Sequence, residues 1–165
     1  MTIVKKVISG GQWGADVAGL AAAHDLGIET GGTAPKGFRT IYGSNPKLQA
    51  LGLVEHESWE YKPRTWDNVK NSDGTIRFAY NFDSPGEQCT LGGIMKFRKP
   101  HLDIDLYELE LKNYLPFDFI EWVDEFNIQV VNVAGNAGKN RDESAKIFSL
   151  VRNALKIWLR LCNKE

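Results

Sequence analysis

Cysteine, histidine and methionine are scarce in this chain of 165 residues, with two Cys, three His and two Met. Cys89 and Cys162 stand far apart with no Cys-x-x-Cys spacing. That excludes a disulfide framework and a thiolate zinc site, and makes a reducing cytosol the expected compartment. His24, His56 and His101 are scattered, without an i, i+4 pair or a carboxylate at metal-ligand spacing, and read as surface or capping histidines. Long apolar runs are missing as well. Nothing approaches the roughly 18 to 20 residues of a spanning helix, and the amino terminus enters a strand-like run directly, so a cytoplasmic protein with no membrane partner is expected. No charge sign dominates: 20 Lys+Arg against 21 Asp+Glu leave a formal net charge of −1. A sequence-independent nucleic-acid binder is more basic than that.

What is present is ordinary for a globular protein, 42% hydrophobic and 25% charged. At about 150 residues per domain the length predicts one domain over residues 1–165. The sixteen glycines exceed the typical share of ~7%. They fall in short doublets, which suggests built loops.

Ile3, Val4, Val7 and Ile8 form an apolar run ending in Ser9-Gly10-Gly11, as a buried parallel strand entering a turn does. From Ala15 to Leu26, Val17, Leu20 and Ala21 supply an apolar helical face, with Gly27 where a left-handed cap belongs. After Ile28, the segment Gly31 to Arg39 carries too much Gly and Pro for regular structure and reads as a loop. Asn45-Pro46 opens a short helix closing at Gly52, and Thr65 with Asn68 opens another through Asn71. Thr75 to Tyr80 alternates as a strand does. Ser84-Pro85-Gly86-Glu87 has capping-box spacing and starts a helix running to Arg98. His101 to Leu106 is a further strand, Phe119, Trp122, Val123 and Phe126 mark a helix, and Ile128 to Ala134 reads as a buried strand. A long closing helix carries Ile147, Val151, Ala154, Leu155, Trp158 and Cys162 on its inner stripe, with Asn140 and Glu143 as its cap pair. Strands alternating with helices predict an α/β fold, a Rossmann-like three-layer sandwich with a mostly parallel sheet. Ligands of such sheets bind outside the carboxyl ends of the strands. The loops of interest therefore follow Ile8, Ile28, Tyr80, Leu106 and Ala134.

The first of these, Ser9-Gly10-Gly11-Gln12-Trp13-Gly14-Ala15-Asp16, brings backbone N–H groups to a helix N-terminus, where a phosphate is the natural occupant. Its glycine spacing is not G-x-G-x-x-G. Trp13 inside it either packs over the sheet end or stacks on a planar ligand ring. Lys36 and Arg39 place two cations on the same rim, and Arg suits bidentate anion contacts. Arg64, Thr65, Asn68 and Ser72-Asp73-Gly74-Thr75 add polar groups. Gly135-Asn136-Ala137-Gly138-Lys139-Asn140 only imitates a Walker loop: two residues separate its glycines, and Asn140 replaces the Mg²⁺-binding hydroxyl, so ATPase chemistry is rejected. Asp103 and Asp105 share a strand face, read as the solvated face of an edge strand rather than an acid/base pair.

Ser9-Gly10-Gly11-Gln12-x-Gly14-Ala15-Asp16, the Gly32 to Arg39 loop with Pro35-Lys36-Gly37, Arg64-Thr65-x-x-Asn68-Val69-x-x-Ser72-Asp73-Gly74-Thr75 and Asn132-Val133-Ala134-Gly135 together resemble the molybdenum carrier family. That family belongs to the SLOG superfamily of Rossmann-like nucleotide-ligand binders, related to the Lonely-Guy phosphoribohydrolases and the DprA proteins. The resemblance spans nearly the whole chain. It implies a homo-oligomer, dimer or tetramer, that binds molybdenum cofactor or another phosphorylated, nucleotide-like ligand. It carries a phosphate-site role onto Gly10, Gly11, Gln12 and Gly14, and a rim role onto Lys36, Arg39, Thr65, Asn68, Ser72, Asp73 and Gly74. Trp13 departs from the small hydroxyl residue usual in the family, and Asn136-Ala137 from a frequent Pro-Arg. With Trp13, Asp16, Thr90, Gly135 and Asn136, these residues make up the expected ligand site.

Glycine and cation loops without a readable nucleophile, metal cluster or acid/base set favour a binding or carrier protein over an enzyme. The rival is a nucleotide N-glycosidase. The relatives of that kind carry Pro-Gly-Gly-x-Gly-Thr-x-x-Glu, and Thr90-Leu91-Gly92-Gly93-Ile94-Met95-Lys96-Phe97 lacks its second glycine step and its Glu. DprA-like single-strand binding is disfavoured by the charge.

Overall fold

The structure, a computed structural model, describes residues 1–111 and 116–164. Its frame is a six-stranded sheet of β1 (Lys6–Ile8), β2 (Glu29–Ala34), β5 (Leu53–Glu55), β6 (Gly74–Ala79), β7 (His101–Asp105) and β8 (Val130–Gly135), in the order β5-β2-β1-β8-β6-β7. Every pairing in it is parallel. A small antiparallel hairpin, β3 (Arg39–Thr40) and β4 (Gly43–Ser44), stands apart. The helices are α1 (Ala15–Asp25), α2 (Tyr61–Lys70), α3 (Pro85–Phe97), α4 (Leu106–Leu111), α5 (Phe117–Glu125) and α6 (Arg141–Cys162).

The two faces of the sheet differ in chemistry, and alternation along the strands is the cause. In β6, Ile76 and Phe78 join the apolar core with Val131 and Val133 of β8, under α1, α5 and α6. Phe78 stacks on Trp158 with ring centroids 6.0 Å apart, and Phe119 of α5 stacks on the same indole at 5.7 Å. Burying a side chain of this size contributes about 2 kcal/mol relative to leaving it exposed. The residues between them, Thr75 and Arg77 of β6 and Asn132 of β8, are equally buried but polar. They face the side covered by α2 and α3.

Several expected elements stand where the pattern placed them. Gly27 takes φ 71° after α1, and its N–H reaches the His24 carbonyl. Asn140 caps α6, its Oδ1 accepting from the Glu143 N–H at 2.9 Å. Others need correction. The segment from Gly31 is not a loop as far as Ala34: it is β2, because β1 and β5 pair with it on both sides, and only Lys36–Phe38 beyond it turns irregularly. Neither the three-residue β5 nor the β3–β4 hairpin was signalled by periodicity. Helix α2 starts at Tyr61 rather than Thr65, with Pro63 in its first turn, where a missing N–H has no helical partner to lose. Leu106 opens α4, and Phe126 lies just past α5, 48% exposed. Asp103 and Asp105 do lie on an edge strand. Asp103 is tied to Arg77 by two bonds of 2.8 and 2.6 Å, and Asp105 accepts from the Tyr107 N–H at the start of α4.

Helix α2 is fastened to the sheet by one side chain. Asn68 accepts from the Thr33 N–H and donates to the Thr33 carbonyl, both at 2.9 Å. Replacing Asn68 by Ala is expected to cost about 2 kcal/mol, since two bonds are lost and a backbone donor is left unmet. Urea denaturation measures this, and a loss under about 0.5 kcal/mol would mean that water replaces the amide freely.

Candidate functional site

The chain runs from β1 through β2 to β5 at one edge, crosses back through α2 to β6, and leaves β8 to fill the place between β1 and β6. Crevices at such a reversal of strand order are where open α/β sheets hold ligands. A cavity of about 210 Å³ lies here, walled by the loop after β1, by α2 and α3, and by the end of β8.

Arg64 dominates one wall. A Cβ on Gly10 would occupy the space of its guanidinium, so the bare glycine is what lets that group lie against the strand end. From there Nη1 stands 3.5 Å from Asp16 Oδ2, while Nε is buried without a partner. Asp16, 4% exposed, accepts from the Gln12 and Gly10 backbone N–H groups. Burial pushes its pKa up to about 6, against the lowering by Arg64 and those amides.

The opposite wall holds Glu87, 2% exposed. Burial raises its pKa to about 7; the Arg77 cation opposes this, and the charges of Asp16 and Asp103 add to it. Arg77 directs Nη1 to the Glu87 carbonyl at 3.1 Å and its other donors to Asp103. The Glu87 carboxylate thus takes no hydrogen bond among the described residues. Asn132, held by a 3.2 Å bond from its Nδ2 to Thr75 Oγ1, reaches the cavity floor. Cys89 lies on the α3 wall, and burial pushes its thiol up, away from thiolate chemistry.

Of the residues expected from sequence, Gly10, Gln12, Asp16, Thr65, Asn68, Thr90, Gly135 and Asn136 line this cavity. The others lie elsewhere. Most amides of the first loop are already taken by the chain itself: Gly11 N–H donates to Ser9 Oγ, Gln12 N–H to Asp16, Trp13 N–H to Gln12 Oε1, and Ala15 N–H to the Asn136 carbonyl. The anion that this loop holds is the chain's own Asp16 carboxylate. Gly11 backs onto Leu48 and Leu53, and Gly14 onto the backbone of Asn136 and Ala137. Trp13 is not among the residues that line the cavity; its Nε1 donates to Thr40 Oγ1 at 3.0 Å and its ring leans on Tyr42. Lys36 is exposed. Arg39 is stacked between Trp59 and Tyr61, at 4.8 and 4.3 Å, one ring behind the cavity wall. Ser72, Asp73 and Gly74 stand at the wrong end of the sheet. Ten residues of α2 carry the chain about 15 Å toward the amino ends of the strands. There Asp73 accepts from the Gln129 and Val130 N–H groups, Ser72 donates to the Val69 carbonyl, and Gly74 lies under Trp122.

Arg64, Glu87 and Asn132 line the cavity without having been assigned a ligand role from sequence. Glu87 was hidden by its capping-box position, although the Ser84 side chain makes no cap bond. The usable signal was polarity in the wrong place: Arg77 and Asn132 interrupt otherwise apolar buried strands. Among the described residues, no group of three or more His, Cys, Asp or Glu gathers as a metal site, and no helix is long and apolar enough to cross a membrane.

No curated protein matches the chain. It is similar to the crystal structure of a "Putative molybdenum carrier protein" from Syntrophus aciditrophicus SB, with 31% identity, a TM-score of 0.81 and 96% of each chain covered. The model of the circularly permutated YpsA SLOG family matches residues 7–158. With the Rossmann-like sheet and this match over most of its length, the chain belongs to the circularly permutated YpsA SLOG family.

Proposed function

We propose that the chain is a binding or carrier protein for a phosphorylated cofactor or nucleotide-like ligand, molybdenum cofactor or a relative of it. The observation that carries this reading is a mismatch. The Arg64 guanidinium, held only at 3.5 Å from Asp16, and the carboxylate of the buried Glu87, which accepts no hydrogen bond among the described residues, line one cavity at the strand ends. Groups left unmet inside a fold are satisfied by water or by a guest. The name of the similar crystal structure supports a molybdenum-related cargo. The donor set suits the organic part of such a cargo better than the metal, since Cys89 is held as a thiol. Arg39, stacked on Tyr61, and Lys62, whose charge acts on Cys89, are further cations near the cavity for a phosphate.

Ligand screening by thermal unfolding tests the reading. A true ligand at a hundred times its Kd adds about 2.7 kcal/mol, which for a chain of this size raises Tm by about 5 to 10 °C. Mass spectrometry of the natively purified protein is expected to find the same molecule. No shift with any pterin or nucleotide, and no co-purified ligand, would overturn the reading.

One observation favours the N-glycosidase alternative: two buried carboxyls with pKa values near neutrality in one cavity suit acid/base work. Free base released from nucleoside monophosphates, and lost on Glu87→Gln, would establish it. A chain that binds such nucleotides and leaves them intact is a carrier.

A further inference from the structure

The unmet groups of the cavity describe their guest. Glu87 presents a carboxylate that accepts no hydrogen bond among the described residues; the bonds that Arg77 makes go to Asp103 and to the Glu87 carbonyl. A carboxylate is matched best by two parallel N–H groups, as in its bidentate pairs with guanidinium. The Arg64 guanidinium lines the same cavity and has N–H donors beyond the one directed at Asp16. The Tyr61 ring lines the cavity as well, with the Arg39 and Arg64 guanidinium groups 4.3 and 5.4 Å from its centre. About 210 Å³ is less than the ~300 Å³ at which sites for whole drug-sized ligands begin. The enclosed part of the guest is therefore a single ring system, with any sugar or phosphate toward the mouth.

We propose that Glu87 is a specificity-determining residue that reads the N–H edge of a planar heterocycle of the guanine or pterin kind, while the Arg64 guanidinium donates to an acceptor on the same molecule. The ring N–H and exocyclic amino group of such a heterocycle are two parallel donors, the complement of one carboxylate. The assignment rests on the carrier reading and deepens it by naming the ring class.

Isothermal titration at pH 8, where Glu87 is mostly ionised, tests this with GMP and IMP, which differ only in the 2-amino group, and with biopterin, which carries the same edge without a phosphate. GMP is expected to bind at least about tenfold more tightly than IMP, since a site built for a donor is left unmet by the analogue that lacks it. Glu87→Gln is expected to bring that ratio below about threefold and to weaken biopterin by at least about tenfold, because the Gln amide turns a donor toward a donor. Equal binding of GMP and IMP to the unaltered protein overturns the inference and leaves the carrier reading standing. So does a preference for GMP that survives in Glu87→Gln. Absence of binding by all three probes at millimolar concentration also overturns the inference, while the carrier reading falls only if the wider ligand screen and the co-purification are silent as well.

Discussion

Glu87→Gln is expected to make the ligand-free protein more stable above pH 7 by about 3 kcal/mol, and to leave its stability unchanged below about pH 4. The folded chain holds the Glu87 proton up to about pH 7, against an ordinary value of 4.5. Between those two values the folded state binds more protons than the unfolded one, so stability falls as pH rises across that window and is level above it. The span from 4.5 to about 7, at about 1.4 kcal/mol per pH unit, sets the size of the loss. Gln has no proton to give up, so its curve lacks this fall. Urea denaturation of both proteins at pH 4, 6 and 8 gives the difference directly. A difference that stays the same at all three values would mean that Glu87 is solvated. Asp16 follows the same sign in a lower window, from 3.8 to about 6, but its removal also deprives Arg64 of a partner.

The largest loss of stability is expected from Gly135→Ala. Gly135 ends β8 with φ 151°, a region that side chains rarely adopt, and a Cβ there would strike the Phe78 carbonyl and the Ala15 methyl. Phe78 and Ala15 are both fully buried, and the carbonyl cannot withdraw: it already accepts the Asn136 N–H at 2.9 Å. Backbone strain plus collision is expected to cost at least about 3 kcal/mol, lowering Tm by roughly 6 to 12 °C. A melting curve within about 2 °C of the parent would mean that the strand end shifts to make room.

Much of the fold was legible because it is local. The stripe from Ile147 to Cys162, the Asn140 and Glu143 cap, and the alternation in Thr75 to Tyr80 are each written in spacing, and the structure keeps them. Strand β2 was not legible, since Gly31 and Gly32 have no strand preference of their own and are extended because neighbours pair with them on both sides. The site divided in the same way. Gly10, Gln12 and Asp16 follow a strand directly and lie at its carboxyl end, as the general rule requires. Ser72 to Gly74 shared a motif with Thr65 and Asn68, but a helix intervenes and carries them to the other end of the sheet. The first loop held the less visible lesson. Its amides do bind an anion, and the sequence contained that anion two positions into the helix as Asp16.

The polarity difference between the sheet's faces separates two kinds of change the molecule can tolerate. Ile76, Phe78 and Val131 hold the strands to α1, α5 and α6 away from the cavity, whereas Arg64, Glu87 and Asn132 line it. Substitutions of residues that line the cavity can therefore alter what it fits while the packing on the opposite face of the sheet is kept.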